Sequence, residues 1–386
     1  MFRYAIKILM GDRAKYIGIL LGLTFASFII TQQAAIFVGI MSRTYSFITD
    51  TSQPNIWVMD NEVKYIDDIK PLPDTDIMRI RSIQGVEWAV PLYKGMLRAN
   101  LKDGRFEQCN VLGIDNSTLI GGPIEMIEGT VENLRMTDGV IVDENGAKTK
   151  LATPGDKPGD PSTPMHIWDT FDINDRRAVV VGICKVAKTF QSQPVIYTTY
   201  SRATQYAPRE RKLLSFILVH SSPDENPQVV CNRIQTTTGL KAYTRQQFID
   251  KTIDYYMKNT GIPLNFGVSV LLGFIIGTAI AGQTFYNFTL DHIRFYGTFK
   301  AMGAVNLLLT KMVVLQAVTV GAVGLGLGIG TASIFGALFG ETDLAFMMTW
   351  PLFIFSCLSI FCIVIAAAFL SLYKIYRLEP AIVFKS

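Results

Sequence analysis

Residues 312–340, MVVLQAVTVGAVGLGLGIGTASIFGALFG, form a run of 29 residues without an ionisable side chain. One charge at the centre of a bilayer costs about 2.5–3.5 kcal/mol, and a helix needs about 20 apolar residues to cross the hydrocarbon. This run is long enough to cross with residues to spare. Three similar runs lie at 16–42, 259–290 and 344–373. The sequence therefore predicts four transmembrane helices.

The composition of the whole chain agrees with this prediction. Of the 386 residues, 49% are hydrophobic and 18% are charged, whereas soluble domains average about 25% charged residues. So much apolar material also excludes an intrinsically disordered chain. Helices buried in a soluble core are the alternative, but they rarely exceed about 20 residues without a charge facing solvent. A cleaved signal peptide is disfavoured because the first run far exceeds the usual ~7–15 apolar residues.

The positions of lysine and arginine predict the orientation of the helices. These residues lie before the first run, between the second and third runs and after the fourth, and the short link at 341–343 has none. Positively charged loops remain on the cytoplasmic side of a membrane. We therefore expect both termini and the 291–311 loop in the cytoplasm, and the segment between the first two helices outside it.

The chain accordingly divides into five parts. They are an N-terminal cytoplasmic end with the first helix (1–41), an external domain (42–258), the second helix (259–290), a cytoplasmic loop (291–311), and the last two helices with a cytoplasmic tail (312–386). The external domain has 26 basic and 27 acidic residues, so its charge nearly cancels. The remaining positive charge lies at the membrane, where it meets anionic lipid, and gives no indication of nucleic acid binding.

The external domain mixes two kinds of pattern and is predicted to be α+β. Residues typical of strands cluster in six runs, and apolar residues at spacings of three and four indicate three helices. The strand runs are 56–59, 88–90, 98–101, 178–183, 195–198 and 213–219, and the helices are 74–83, 227–238 and 243–256. The last helix is expected to be a stalk leading to the second span, with an amphipathic helix lying on the bilayer as the alternative. The segment 153–164 holds four prolines and is expected to be a loop.

The sequence lacks the metal-ligand spacings, hydrolase motifs and nucleotide-binding loops that would indicate catalysis or cofactor binding. Its three histidines are not spaced with cysteine or acidic residues as a metal site requires, and no hydrolase or nucleotide-binding motif is present. A non-catalytic protein is therefore predicted, and any ATP must be bound by another chain. Spans without ionisable residues also disfavour ion-coupled transport. Cys109, Cys184 and Cys231 lie in the external domain, and their spacing leaves open whether any two form a disulfide.

Glycines recur at four-residue spacing in the third span and predict close packing of helices. They form the pairs Gly324 with Gly328 and Gly326 with Gly330. Such small residues let two helices approach closely in lipid. Their partner is either another helix of the same chain or a second copy of it.

The cytoplasmic loop begins DHIRFYGTFKAMGAVN at residues 291–306 and predicts a short helix that Gly303 would end. Phe295, Phe299 and Met302, with Tyr296 beside them, are expected to form an apolar stripe on it. A cytoplasmic helix with one apolar face needs a partner, which is either the lipid head groups or another protein.

This loop resembles that of the MacB/FtsX-type permeases of ABC transporters. Their motif commonly reads Arg-Glu-Ile-Gly, two variable residues, Arg or Lys, Ala, Leu or Met, then Gly. The matching positions are Arg294, Gly297, Lys300, Ala301, Met302 and Gly303. The fuller run looks most like the DevC branch, and the tail at 377–382 is similar to the proline-centred tail of the family. Phe295 replaces the acidic residue that the family usually carries, so an ion pair made by that residue is not expected here.

The resemblance implies a permease subunit of an ATP-driven exporter in a bacterial inner membrane, with the large domain in the periplasm. Its coupling helix would use Arg294, Tyr296, Gly297, Phe299, Lys300, Ala301, Met302 and Gly303 to dock on a separate ATPase subunit, which holds the ATP and Mg²⁺. The chain itself would bind no cofactor. Further expected partners are a second permease copy, membrane lipid, a periplasmic adaptor and an outer-membrane channel.

The sequence leaves the purpose of this ATP-driven movement open. A lipid-like or amphiphilic cargo moved outward is the leading hypothesis. The alternative is an FtsX-like signalling subunit that regulates a periplasmic cell-wall enzyme without transport.

Overall fold

A computed structural model describes residues 2–155, 162–208, 214–339 and 344–376. The link at 341–343 and the tail motif at 377–382 lie outside the described residues. The chain divides into two compact units. One, here called the membrane unit, combines Met1–Ile40 with Gly261–Ser386, and the other, the α+β unit, comprises Met41–Thr260.

Eleven α-helices and ten strands are defined within the described ranges. In chain order the helices are α1 (Phe2–Gly11), α2 (Arg13–Asp50), α3 (Thr75–Arg81), α4 (Glu144–Lys148), α5 (Tyr200–Tyr206), α6 (Pro227–Thr238), α7 (Arg245–Asn259), α8 (Ile262–Asp291), α9 (Ile293–Ala301), α10 (Asn306–Phe339) and α11 (Trp350–Tyr376). The strands are β1 (Ile56–Met59), β2 (Val86–Asn100), β3 (Phe106–Ile114), β4 (Glu125–Glu128), β5 (Gly139–Asp143), β6 (Thr170–Ile173), β7 (Arg176–Lys185), β8 (Val195–Thr199), β9 (Phe216–Ser221) and β10 (Lys241–Thr244).

Within the described residues, four helices are long and apolar enough to cross a membrane, which confirms the four predicted spans. The crossing segments are Arg13–Thr44 of α2, Ile262–Asp291 of α8, Asn306–Phe339 of α10 and Trp350–Tyr373 of α11. The sequence prediction did not identify α1. This helix precedes the first span, and its Leu9 is only 1% exposed because it packs into the apolar core of the membrane unit.

The α+β unit contains one sheet with the strand order β10-β1-β9-β2-β3-β8-β5-β7-β4, and β6 pairs with both β2 and β7. Most neighbours are antiparallel, but β3 with β8 and β5 with β7 are parallel. The predicted α+β class is confirmed. The runs predicted at 88–90 and 98–101 are parts of the single 15-residue strand β2. Pro91 interrupts the sequence pattern, yet it pairs only with β9, since pairing with β3 starts at Tyr93.

An aromatic cluster around Trp57 closes the core at one face of the sheet. The Trp57 ring lies 5.7–5.9 Å from the rings of Phe47, Phe216 and Phe248. These residues come from α2, β9 and α7, so both chain ends of the α+β unit are packed into its core. The expected alternative, in which α7 lies on the bilayer surface, is therefore wrong, because its apolar face is buried in the protein.

The three cysteines of the α+β unit are free thiols and are buried. Burial raises the pKa of all three, to about 12 for Cys231. A thiol reacts through its thiolate, so burial and a raised pKa both suppress reaction. The structure thus answers the disulfide question that spacing left open.

We predict that N-ethylmaleimide leaves Cys109, Cys184 and Cys231 unmodified in the native chain and modifies all three after denaturation. The matched control is Thr237→Cys, an exposed position on the same helix as Cys231. It should react within the native chain. Mass spectrometry of the peptides provides the measurement, and a disulfide-linked peptide among the three would contradict the prediction.

Candidate functional site

The helix α9 connects two spans and is sharply defined at both ends. At its start, the His292 ring stacks between the rings of Phe288 and Phe295, and its Nδ1 lies 2.9 Å from the Phe288 carbonyl oxygen. At its end, Gly303 has a φ of +92°, a left-handed conformation that other residues rarely adopt. The backbone N–H of Gly303 donates to the Lys300 carbonyl. Gly303 therefore ends the helix as predicted.

One side of α9 is anchored in the core of the membrane unit. Tyr296 is fully buried, and its hydroxyl donates a hydrogen bond of 3.0 Å to Oε1 of Gln316, which is only 1% exposed. Burial raises the pKa of Tyr296 to about 12, so the hydroxyl keeps its proton at neutral pH. A buried hydrogen bond of this kind fixes rotation of the short helix because an unpaired buried polar group is costly. Gly297 is buried beside it, and Phe299 packs partly against the same core.

The opposite side of α9 is open and apolar. Phe295 is 55% exposed and Met302 is 70% exposed. Val305 and Leu307 continue the exposed apolar surface beyond the helix end, with exposed fractions of 65% and 64%. Arg294 is exposed beside Phe295, which adds positive charge at one end. We call Phe295, Met302, Val305 and Leu307 the outer face.

The structure divides the apolar stripe that the sequence predicted. The prediction grouped Phe295, Phe299 and Met302 with Tyr296, but Tyr296 and Phe299 contact the core whereas Phe295 and Met302 face outward. The reason is helical geometry, because each residue turns the side chain by about 100° and two adjacent residues point in different directions. Lys300 is half-buried and Ala301 is exposed.

An ion-pair cluster lies at the ends of two spans in the membrane unit. Lys15 at the start of α2 pairs with Asp12 at 3.1 Å and with Asp291 at the end of α8. The hydrogen bond from Lys15 lowers the pKa of Asp12. This cluster joins the start of α2 to Asp291, two residues before α9 begins. Because the side chains of Lys15 and Asp12 are partly exposed and that of Asp291 is mostly exposed, these pairs add little stability.

The four glycines predicted for helix packing separate into two pairs with different surroundings. A Cβ added at Gly324 would lie 2.8 Å from Cβ of Leu23, and one added at Gly328 would lie 2.3 Å from Cβ of Ser27. Both neighbours belong to α2, so this pair packs α10 against α2 within one chain. Added Cβ atoms at Gly326 and Gly330 would meet no atom of the described residues within 4 Å.

The comparisons with known proteins match both units. Residues 262–380 match the family described as FtsX-like permease C-terminal. An uncharacterized ABC transporter permease of Mycobacterium tuberculosis, from two strains, is 22% identical over 277 residues, which cover 70% of this chain and 67% of the relative.

Two solved structures are similar to part of the chain. The periplasmic region of MacB from Actinobacillus actinomycetemcomitans matches with a TM-score of 0.38 and 16% identity, over 55% of this chain and 96% of that region. The extracellular domain of the noncanonic ABC-type transporter YknZ from Gram-positive bacteria matches with a TM-score of 0.34 and 12% identity, over 50% and 99%. The predicted resemblance to MacB/FtsX-type permeases is confirmed by the family match at residues 262–380 and by the similarity to the ABC transporter permease, and the assignment to the DevC branch stays a prediction.

We predict that Gly328→Val destabilises the chain by about 1–3 kcal/mol, because its methyl groups would overlap Ser27. Gly330→Val is the matched control, with the same change of helix propensity and no neighbour within the described residues. It should alter stability by about 0.5 kcal/mol or less. Thermal unfolding of the detergent-solubilised monomer provides the measurement. Equal shifts for the two variants would show that Gly328 does not pack against α2.

Proposed function

We propose that this chain, whose residues 262–380 form an FtsX-like permease domain homologous to ABC transporter permeases, is the membrane subunit of an ATP-driven exporter. A separate ABC ATPase subunit would bind ATP and Mg²⁺ and would dock on the outer face of α9. The cargo would be a lipid-like or amphiphilic molecule, moved outward from the inner membrane or the periplasm. The proposal includes cytoplasmic termini and a periplasmic α+β unit.

The observation that carries this proposal is the combination of an anchored inner side and an open outer side on α9. Phe295 on α9 and Met302 directly after it present apolar surface that water does not favour, and a helix of nine residues is too short to be stable alone. Tyr296 fixes the same helix to α10 through Gln316. A force applied by a partner at the outer face would therefore move α10 with α9 instead of bending a loop.

The helix α2 supports the idea that movement reaches the α+β unit. It is one continuous helix of 38 residues, and the boundary between the two units falls within it, after Ile40. Its last residues are held inside the α+β unit. The Asp50 carboxylate accepts a hydrogen bond of 2.9 Å from the Ala187 N–H, and Arg245 donates to the Thr49 carbonyl. A shift of α2 along its axis would be passed directly to the β-sheet, since a helix is stiff over this length.

The proposed assembly contains two permease copies and two ATPases. The open pair Gly326 and Gly330 supports close approach of a second helix from outside the chain. A closed two-fold dimer of identical chains is the commonest arrangement of such subunits. A periplasmic adaptor and an outer-membrane channel would complete the path for the cargo.

We expect Phe295→Asp combined with Met302→Asp to abolish co-purification of the ATPase subunit, because two carboxylates would be desolvated in an apolar interface. The measurement is affinity purification of the full chain from membranes of its host, with the bound proteins identified by mass spectrometry and ATP hydrolysis assayed. The expected loss is at least tenfold for both readouts.

The matched control is Met78→Asp, which changes a methionine that is 67% exposed on α3 of the α+β unit. This variant should recover as much ATPase as the wild type. The Tyr296→Asp substitution is unsuitable as a probe because it would place a charge in the core. The coupling proposal is wrong if the wild type, the double variant and the Met78→Asp variant all recover the same partners and none of those partners binds ATP.

The same purification separates export from signalling. An adaptor recovered with the ATPase favours export, and a cell-wall hydrolase bound through the α+β unit favours the FtsX-like alternative.

A further inference from the structure

A cleft in the α+β unit has features that the coupling mechanism does not use. It has a volume of about 380 Å³, which falls within the range of ~300–1,000 Å³ for small-molecule sites. Its lining combines aromatic, aliphatic and amide side chains and comes from the segment after β1, the strands β2 and β3, the loop before β8 and the end of α7. The lining includes Tyr65, Asp67, Ile69, Lys94, Met96, Asn110, Thr189, Phe190, Gln193, Tyr255 and Tyr256.

Four aromatic rings form one wall of the cleft. Tyr65 stacks on Tyr255 with their centroids 4.2 Å apart, and Tyr256 meets the Tyr65 ring edge-on at 5.4 Å. Phe190 extends the wall on the other side of Tyr256, at 5.3 Å. Because the rings hold each other in place, this surface is formed before any ligand arrives. Apolar groups of a ligand can pack on it without first ordering loose side chains.

The charges within the cleft cancel. Its lining contains one carboxylate, Asp67, and one ammonium, Lys94, and these two form an ion pair. The Lys94 side chain is only 3% exposed, and the Tyr256 hydroxyl lies near the Asp67 carboxylate. Burial, followed by the nearby Asp67 charge, raises the pKa of Tyr256, so this hydroxyl remains neutral. A ligand with a net charge would find no unpaired opposite charge here.

Asn110 provides an unused hydrogen-bonding group at the cleft. It lies on β3, is only 7% exposed, and its Oδ1 accepts no hydrogen bond from the described residues. Buried polar atoms in native proteins nearly always have a partner, so this acceptor is available to a hydroxyl group that enters the cleft. Gln193 and Thr189 line the same cleft and add amide and hydroxyl groups. The polar part of the cleft therefore suits hydroxyl groups.

The cleft lies where both chain ends of the α+β unit are packed. The Lys94 ammonium is 5.9 Å from the ring centroid of Phe47, near the end of α2. Tyr256 is in the last turn of α7, six residues before the span helix α8 begins at Ile262. The site is thus close in sequence to both segments that cross the membrane.

We propose that this cleft binds an uncharged amphiphile, with its hydroxyl-bearing head group at Asn110 and Gln193 and its first methylene groups along the Tyr65 and Phe190 wall. The inference rests on the proposed function for the idea that the cargo is amphiphilic. Binding itself requires neither ATP nor a partner subunit, so it can be measured separately.

The test measures binding of three eight-carbon probes to the full chain in lipid nanodiscs by isothermal titration calorimetry, after subtraction of empty nanodiscs. The probes are 1-monooctanoylglycerol, octyl phosphate and octyltrimethylammonium. We expect saturable binding of the uncharged probe at one site per chain, at least about tenfold tighter than either charged probe. Absence of saturable binding, or equal affinity for all three probes, would overturn the proposal.

Two substitutions at the cleft test the polar contacts. Asn110→Leu should weaken binding of the uncharged probe about five- to tenfold, as expected for one lost hydrogen bond. Gln193→Leu, at a partly exposed position, is the second variant and should also weaken binding. The matched control is Gln108→Leu, an exposed residue of the same strand that lies outside the cleft lining. Wild-type affinity in both cleft variants would overturn the proposal.

Lys94→Met tests the charge balance of the cleft. It should change which of the three probes binds most tightly, and misfolding cannot produce such a change. It leaves Asp67 as the uncompensated charge, so the tightest probe should become octyltrimethylammonium. If the variant has the wild-type melting temperature and the order of affinities for the three probes is unchanged, the role given to the ion pair is wrong.

The two proposals can fail separately. If the chain does not bind the amphiphile but the ATPase still co-purifies with it, only the cleft proposal is wrong. If the chain binds the amphiphile but no ATPase co-purifies, only the coupling proposal is wrong.

Discussion

The cost of placing a charge or an unpaired backbone group in hydrocarbon shapes this structure more than any other constraint. It requires the four spans to be helices and keeps their central residues free of ionisable side chains. Because the hydrophobic effect does not drive helices together in lipid, the packing of the spans depends on close contact between them. Gly324 and Gly328 permit this contact against α2, and the hydroxyl of Thr31 donates to that of Ser356 at 3.0 Å across two spans.

This packing holds the short helix α9 in place. The hydrogen bond from Tyr296 to Gln316 ties α9 to α10, and it decides which side of α9 is left open. The outer face is therefore set by packing in the core of the membrane unit, although Phe295, Met302 and Val305 lie between the segments that cross the membrane. The same logic applies in the α+β unit, where Phe47 of α2 and Phe248 of α7 join one aromatic cluster with Trp57. Both helices that lead to spans are thus built into the domain core.

Prediction succeeded where one local rule decides the outcome. Runs without charge identified the spans, Gly303 identified the end of α9, and the β-rich run at 56–59 coincides with β1. Prediction was less complete where the pairing of strands decides the structure. The strand β5 has only five residues, all buried, and its apolar run is too short to distinguish a strand from a loop. The strand β10 was missed for a similar reason, because its place is set by antiparallel pairing with β1 and not by its own four residues. Its last two residues, Tyr243 and Thr244, were wrongly predicted to begin the following helix.

The sequence by itself determined the number of spans, the α+β class of the large domain and the short loop helix, because each follows from local hydrophobicity or backbone preference. Only the tertiary structure decided which side of that helix is open, which glycines pack within the chain, and that three cysteines stay unpaired. It also brought Tyr65, Lys94, Asn110 and Tyr256 together at one cleft. These outcomes depend on contacts between residues far apart in the chain, and no local pattern records which distant side chain will fill the space beside a given residue.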